Sequence, residues 1–263
     1  MPVLREILEH PDYLLLLFLR VSGLLIGSPI FGRKEVPAIA KIGFCMTLTA
    51  VFLTALPTPA SYPVQTDFLA YLLLCLRELL FGAAMGFVMT AMFSLVQTGG
   101  SLIDMQIGFS VASVYDIQTN TQAPITGTLF QLMLTVLFFG MDGHLRIIDI
   151  LYATIQRIPV GTAMMSADIV WVAADVMSKS FSLGLMMAMP VVAAGIMVEL
   201  AMGAMIHTVP QMNMFVVGIP LKIIVGLVVL AGSLTLFVGL SREITAQTFS
   251  FIDQMFLYLG GAS

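Results

Sequence analysis

The chain has 263 residues, 59% of them hydrophobic and 10% charged, with a mean hydropathy of +1.02 and a formal net charge of −4. A soluble domain is about 45–50% apolar and about 25% charged, so the composition places the chain in the integral membrane class. The acidic balance gives a nucleic-acid partner no electrostatic support.

In chain order, Met1 to Asp12 carries Arg5, Glu6, Glu9 and Asp12 instead of a basic leader, so the first apolar segment is expected to be retained. Tyr13 to Ile30 is that segment, interrupted by Arg20 and small residues. Phe31 to Pro37 is a basic turn. Ala38 to Leu56 is the second run, stopped by Pro57-Thr58-Pro59, and Phe68 to Val96 is the third. At about 1.5 Å per residue the third run would reach about 43 Å, against a hydrocarbon core of about 30 Å. Next comes Ser101 to Gly127, which contains no Lys or Arg. It begins amphipathic and small-residue rich, turns polar at Gln118 to Gln122 and is closed by Pro124. It reads as a long irregular segment of the kind that often carries function. Thr128 to Phe139 is the fourth run, and Gly140 to Gly161 carries Asp142, His144, Arg146, Asp149 and Arg157. Ile169 to Ile206 is the fifth run. Pro190 at its middle predicts two helical halves. Val216 to Leu240 is the sixth, followed by a weakly amphipathic tail, Ser241 to Ser263.

A plain six-span topology conflicts with the charge pattern. Arg33 and Lys34 make the first connection cytoplasmic, and the base-free second connection lies outside. The third connection should then be basic, yet it is the stretch without Lys or Arg. The fourth should not be, yet it holds Arg146 and Arg157. Some of the apolar helices are therefore expected to be covered by other proteins instead of lipid.

Charges inside or at the edge of apolar runs support that expectation. Arg20, Arg77, Glu78, Glu199 and Lys222 each need a partner, because an isolated charge at mid-membrane costs at least about 2.5–3.5 kcal/mol. No chain of acids crosses the sequence, so buried pairs holding helices in register are the expected role, ahead of an ion relay. Gly82 and Gly86 form a GxxxG, and Gly218 lies near Pro220; both read as close-packing positions. Methionine occurs twenty times, and those from Met164 to Met214 crowd the C-terminal half; they read either as core filler or as a compliant surface around varied partners. Cys45 and Cys75 read as buried thiols. His10, His144 and His207 lack metal spacing, and no Walker, GxGxxG or GxSxG pattern is present. No metal, cofactor or catalytic activity is expected.

Four segments carry a family resemblance: LRVSGLLIGSPIFGRKEVPAIAKIG, GGSLIDMQIGFSVASVYDIQT, GHLRIIDILYATIQRIPVG and, most specific, VPQMNMFVVGIPLKIIVG. They resemble the FliR family of flagellar export-gate proteins, whose relatives also serve virulence-type injectisomes. The resemblance implies an all-α subunit of long bent helical hairpins within a helical multi-subunit pore complex. It implies a FliP-like part, residues 1–165, fused to a FliQ-like part, residues 166–263. It implies FliP, FliQ and FlhB partners in the bacterial inner membrane and flagellar basal body, with unfolded proteins as the cargo. It also implies a pore plug over residues 104–122, with Met105, Ile107, Phe109, Val111, Val114 and Tyr115 as its apolar side chains. The competing readings are an injectisome gate subunit and a secondary transporter. The transporter would need matching interrupted helices in two halves, and the sequence shows no such symmetry.

Overall fold

Where water is scarce, backbone N–H and C=O groups must pair within their own segment, which favours helices. The computed structural model describes residues 11–56, 67–109, 124–163, 166–208 and 214–259, and every regular element among them is an α-helix. In chain order they are α1 (Pro11–Gly27), α2 (Ala38–Ala55), α3 (Phe68–Ile107), α4 (Ile125–Gly140), α5 (Gly143–Arg157), α6 (Ile169–Thr208) and α7 (Met214–Leu259). The fold is all-α. Among the described residues, α2, α3, α6 and α7 are long and apolar enough to cross a membrane.

Three boundaries differ from the sequence expectation. First, α3 continues to Ile107, so Ser101 to Ile107 is helix and not the start of an irregular stretch. Gly108 stops it with φ 97°, its N–H bonded to the Asp104 carbonyl at 3.0 Å. A left-handed glycine after the last turn is a common helix stop. Second, Pro190 does not divide α6, which runs unbroken from Ile169 to Thr208. Proline removes one ladder bond, but Ala188 and Val191 beside it are buried, and their packing carries the helix through the defect. Third, the tail after Leu240 belongs to α7, which also passes through Pro220. Ile244, Thr248, Phe251, Ile252 and Met255 are buried at helical spacing, which accounts for the extension.

The chain forms two compact units. The first comprises Met1–Ala91, Asp142–Met177 and Gln247–Ser263, as far as these are described; the second comprises Met92–Met141 and Ser178–Ala246 on the same terms. In the first unit α1 packs on α2 and meets α3 through two glycine pairs. A Cβ on Gly23 would stand 2.5 Å from the Leu79 carbonyl oxygen, and one on Gly86 would stand 2.9 Å from the Gly27 Cα. A Cβ on Gly82 would overlap the Arg20 carbonyl. The Gly82/Gly86 motif therefore packs against a second one, Gly23/Gly27, and backbones approach as only glycine allows. In the second unit Phe93 meets Phe138 edge-on at 5.5 Å, and Phe130 lies 4.5 Å from Phe237. Leu95, Leu134 and Val191 are among the other apolar residues buried there.

Candidate functional site

Among the described residues, two buried polar clusters join different helices. The first lies in the first unit. Arg20 on α1 is fully buried, and its Nε and Nη2 donate to the two carboxylate oxygens of Glu78 on α3 at 2.6 and 3.0 Å. Its Nη1 donates to the Ile158 carbonyl at 2.7 Å and to the Thr154 carbonyl at 3.3 Å. These carbonyls end α5, where the helix dipole favours a cation. The Glu78 carboxylate also accepts the Gly161 N–H at 2.7 Å. Gly161 has φ 89°, so the turn that delivers this N–H requires glycine. The Phe81 ring lies 4.5 Å from the guanidinium carbon. One neutral pair thus joins α1, α3 and the exit of α5. A bidentate guanidinium–carboxylate geometry is the strong form of such a pair.

The second cluster lies in the second unit, at the two points where residues 110–123 leave and rejoin the described chain. Asp104 is buried in the last turn of α3, and Thr126 is buried in the first turn of α4. The Thr126 N–H donates to both Asp104 carboxylate oxygens at 3.2 Å, and the Thr126 hydroxyl donates to Oδ1. The carboxylate caps α4 from a different helix, taking an N–H that has no partner within α4. Glycines bring the backbones together here. A Cβ on Gly100 would overlap Gly127 of α4, and one on Gly99 would stand 2.6 Å from the Gly184 carbonyl oxygen of α6. Gln106 lies against Gly195 of α6, and its Nε2 is buried with no hydrogen-bond partner among the described residues.

The residues singled out in the sequence distribute as follows. Arg20 and Glu78 meet each other. Arg77 is exposed and takes no part in their cluster, because it projects from a different face of α3 than its neighbour Glu78. Glu199 on α6 and Lys222 on α7 form an ion pair, their side chains 48% and 19% exposed. Met105 is 67% exposed, Phe109 is half-buried, and Ile107 is buried against Gly226 of α7. Val111, Val114 and Tyr115 lie outside the described residues. Gly218 is buried, and Pro220 is exposed within α7. Asp104, Thr126 and the pair Gly23/Gly27 were not singled out. The spacing GLLIG, from Gly23 to Gly27, was the available signal for the last. Among the described residues no group of His, Cys, Asp and Glu is placed to hold a metal ion.

Residues 12–248 match the family described as bacterial export proteins, family 1. The chain is 32% identical over 249 residues to the flagellar biosynthetic protein FliR of Bacillus subtilis, covering 94% of this chain and 95% of that protein. It is 29% identical over 234 residues to the protein of the same name from Escherichia coli, with 89% and 88% covered. With the Aquifex aeolicus FliR it shares 30% identity over 224 residues, covering 85% of each.

Proposed function

The chain belongs to the bacterial export proteins, family 1, the family of the FliR proteins, and on that premise we propose that it is a non-enzymatic pore subunit of the flagellar type III export gate. The observation that carries this reading is the match over nearly the whole chain to proteins named for flagellar biosynthesis. In this reading residues 1–165 are a FliP-like part and residues 166–263 a FliQ-like part. FliP, FliQ and FlhB homologues complete the gate in the bacterial inner membrane, and unfolded flagellar proteins pass through it.

The apolar faces the chain leaves open support an assembled state. Ile39 is 85% exposed and Trp171 is 73% exposed. Leu69, Leu72, Leu73 and Leu76, at helical spacing on α3, are exposed as well, and an apolar face of this kind marks a lipid or protein contact. The segment 104–122 is the proposed plug, with Met105, Phe109, Val111, Val114 and Tyr115 sealing the path and Ile107 anchoring it. An apolar constriction excludes ions by dewetting, and opening needs a second conformation that cargo or a partner favours. Deleting Gly108 to Asp116 is expected to leave the complex assembled while raising the ion conductance of the membrane. An assembled deletion complex with unchanged conductance would overturn the plug.

A further inference from the structure

We propose that the chain binds an anionic phospholipid beside the turn between α1 and α2, its acyl chain entering an apolar cavity and its phosphate meeting the Lys41 ammonium. The site lies wholly within residues 25–45 and needs neither the gate nor its plug.

The cavity holds about 130 Å³. Leu25, Ile26, Ile30, Phe31, Phe44 and Cys45 line it. Leu25, Ile30 and Cys45 are buried, whereas Ile26 and Phe44 are exposed, so the cavity opens to the surroundings of the chain. The Phe31 and Phe44 rings stack with centroids 5.3 Å apart. An apolar cavity of about 150 Å³ takes up benzene, so this one has room for a short length of hydrocarbon chain.

Lys41 lines the same cavity. Its Nζ donates to the Gly32 carbonyl at 3.0 Å, and it forms no ion pair among the described residues. An ammonium has three donors, so two are left for an anion. A charge set among apolar side chains is costly until it is paired. The turn holds the ammonium in place. The Gly32 N–H donates to the Ser28 carbonyl at 2.8 Å, and a Cβ on Gly32 would overlap the Ile26 carbonyl oxygen. Arg33 and Lys34 stand in the same turn against one acid, Glu35. An apolar cavity with an unmatched cation at its side fits a molecule that joins an anion to a hydrocarbon chain.

The length of α2 favours lipid over a protein neighbour as the source of that molecule. Its 18 residues correspond to about 27 Å of helix, close to a hydrocarbon core of about 30 Å. The other three candidate spans have 40, 39 and 44 residues and overshoot it. Only 28% of the α2 window is buried within the chain. Lys41 is in the first turn of α2, beside the basic connection that the charge pattern assigns to the cytoplasmic side. Anionic lipids are enriched in that leaflet, and basic pockets between helices there hold their headgroups.

The test uses the chain purified with its accompanying subunits and placed in phosphatidylcholine vesicles. The vesicles contain a trace of phosphatidylglycerol or of phosphatidylcholine carrying a diazirine in the acyl chain. Adducts within residues 25–45 are located by peptide mass spectrometry and counted per chain. The phosphatidylglycerol probe should label the cavity at least about fivefold more than its partner probe, the factor one basic residue contributes at a lipid surface. Lys41→Ala should lower that labelling about fivefold and leave labelling by the phosphatidylcholine probe unchanged. Lys41→Arg keeps the charge and should retain it. Ala40→Phe, from a residue that also lines the cavity, fills the space and should reduce labelling by both probes. Equal labelling by the two probes, or Lys41→Ala labelled like the unaltered chain, would overturn the site. So would a cavity that neither probe reaches while a photo-reactive amino acid at Phe44 captures another subunit, since protein then fills it. Should Lys41→Ala fail to assemble, the comparison of the two probes in the unaltered complex decides.

Discussion

Arg20 and Glu78 neutralise each other where bulk solvent does not reach them, both being fully buried, and this sets how their substitution must behave. Removing one partner leaves the other charge buried and unmatched, a loss of about 3–5 kcal/mol. Arg20→Ala and Glu78→Ala should therefore each sharply lower the thermal stability of the purified complex. Arg20→Met combined with Glu78→Leu should be milder than either single change, because an apolar pair carries no desolvation penalty. Arg20→Lys should behave like a loss, since an ammonium cannot span Glu78, Ile158 and Thr154 as the planar fork does. Melting curves of the four complexes check this, and a double variant less stable than both singles would refute it. Both residues stood out in the sequence as charges within apolar runs. Their partnership did not, because 58 positions separate them and Arg77 lies beside Glu78 with an equal claim. Only the rotation of α3 about its axis decides which of the two faces α1.

For the helices, the crossing of α1 and α3 is the contact most sensitive to side-chain size. Gly86→Val would place branched carbon where the Gly27 Cα already lies within 2.9 Å of a built Cβ. Overpacking of this kind costs about 1–3 kcal/mol. Gly43→Ala in α2 meets nothing within 4 Å in this chain, and alanine favours a helix over glycine by about 0.5–1 kcal/mol. Accumulation of folded protein should fall with Gly86→Val and be maintained with Gly43→Ala. Equal loss in both would mean that the glycines matter for insertion and not for the crossing. Most helix positions were legible because long apolar runs between Pro, Gly and charged turns have few alternatives to a helix. The interruption expected at Pro190 failed because a single missing hydrogen bond is small beside the packing of Ala188 and Val191. The helical tail was legible only weakly. Its buried stripe from Ile244 to Met255 mixes Thr and Met with larger residues, which dilutes a periodicity that packing makes real.

Across the whole molecule, hydropathy identified the membrane class but not what covers each face, since lipid and a partner subunit select the same side chains. Helix length separates them. The 40 residues of α3 and the 46 of α7 correspond to about 60 Å and about 69 Å of helix at 1.5 Å per residue. A hydrocarbon core of about 30 Å covers about 39 Å of a helix tilted by the largest usual angle, about 40°. About 30 Å of α7 must then lie beyond the acyl chains. Its exposed apolar residues are nevertheless spread from Val216 through Val228 and Leu236 to Leu257, and only 17% of its most apolar window is buried within the chain. Apolar side chains beyond the lipid and uncovered by their own chain require protein cover, because water there would be costly. A photo-crosslinking amino acid placed in turn at Val216, Val228, Leu236 and Leu257 tests this in cells making the complete export apparatus. Wherever the lipid sits along α7, at least one of these positions should give a covalent adduct with another protein subunit. That adduct should disappear when the chain is made without its partners. Lipid adducts alone at all four positions would mean that α7 is accommodated entirely by the bilayer, and the subunit-covered assembly would fail with it.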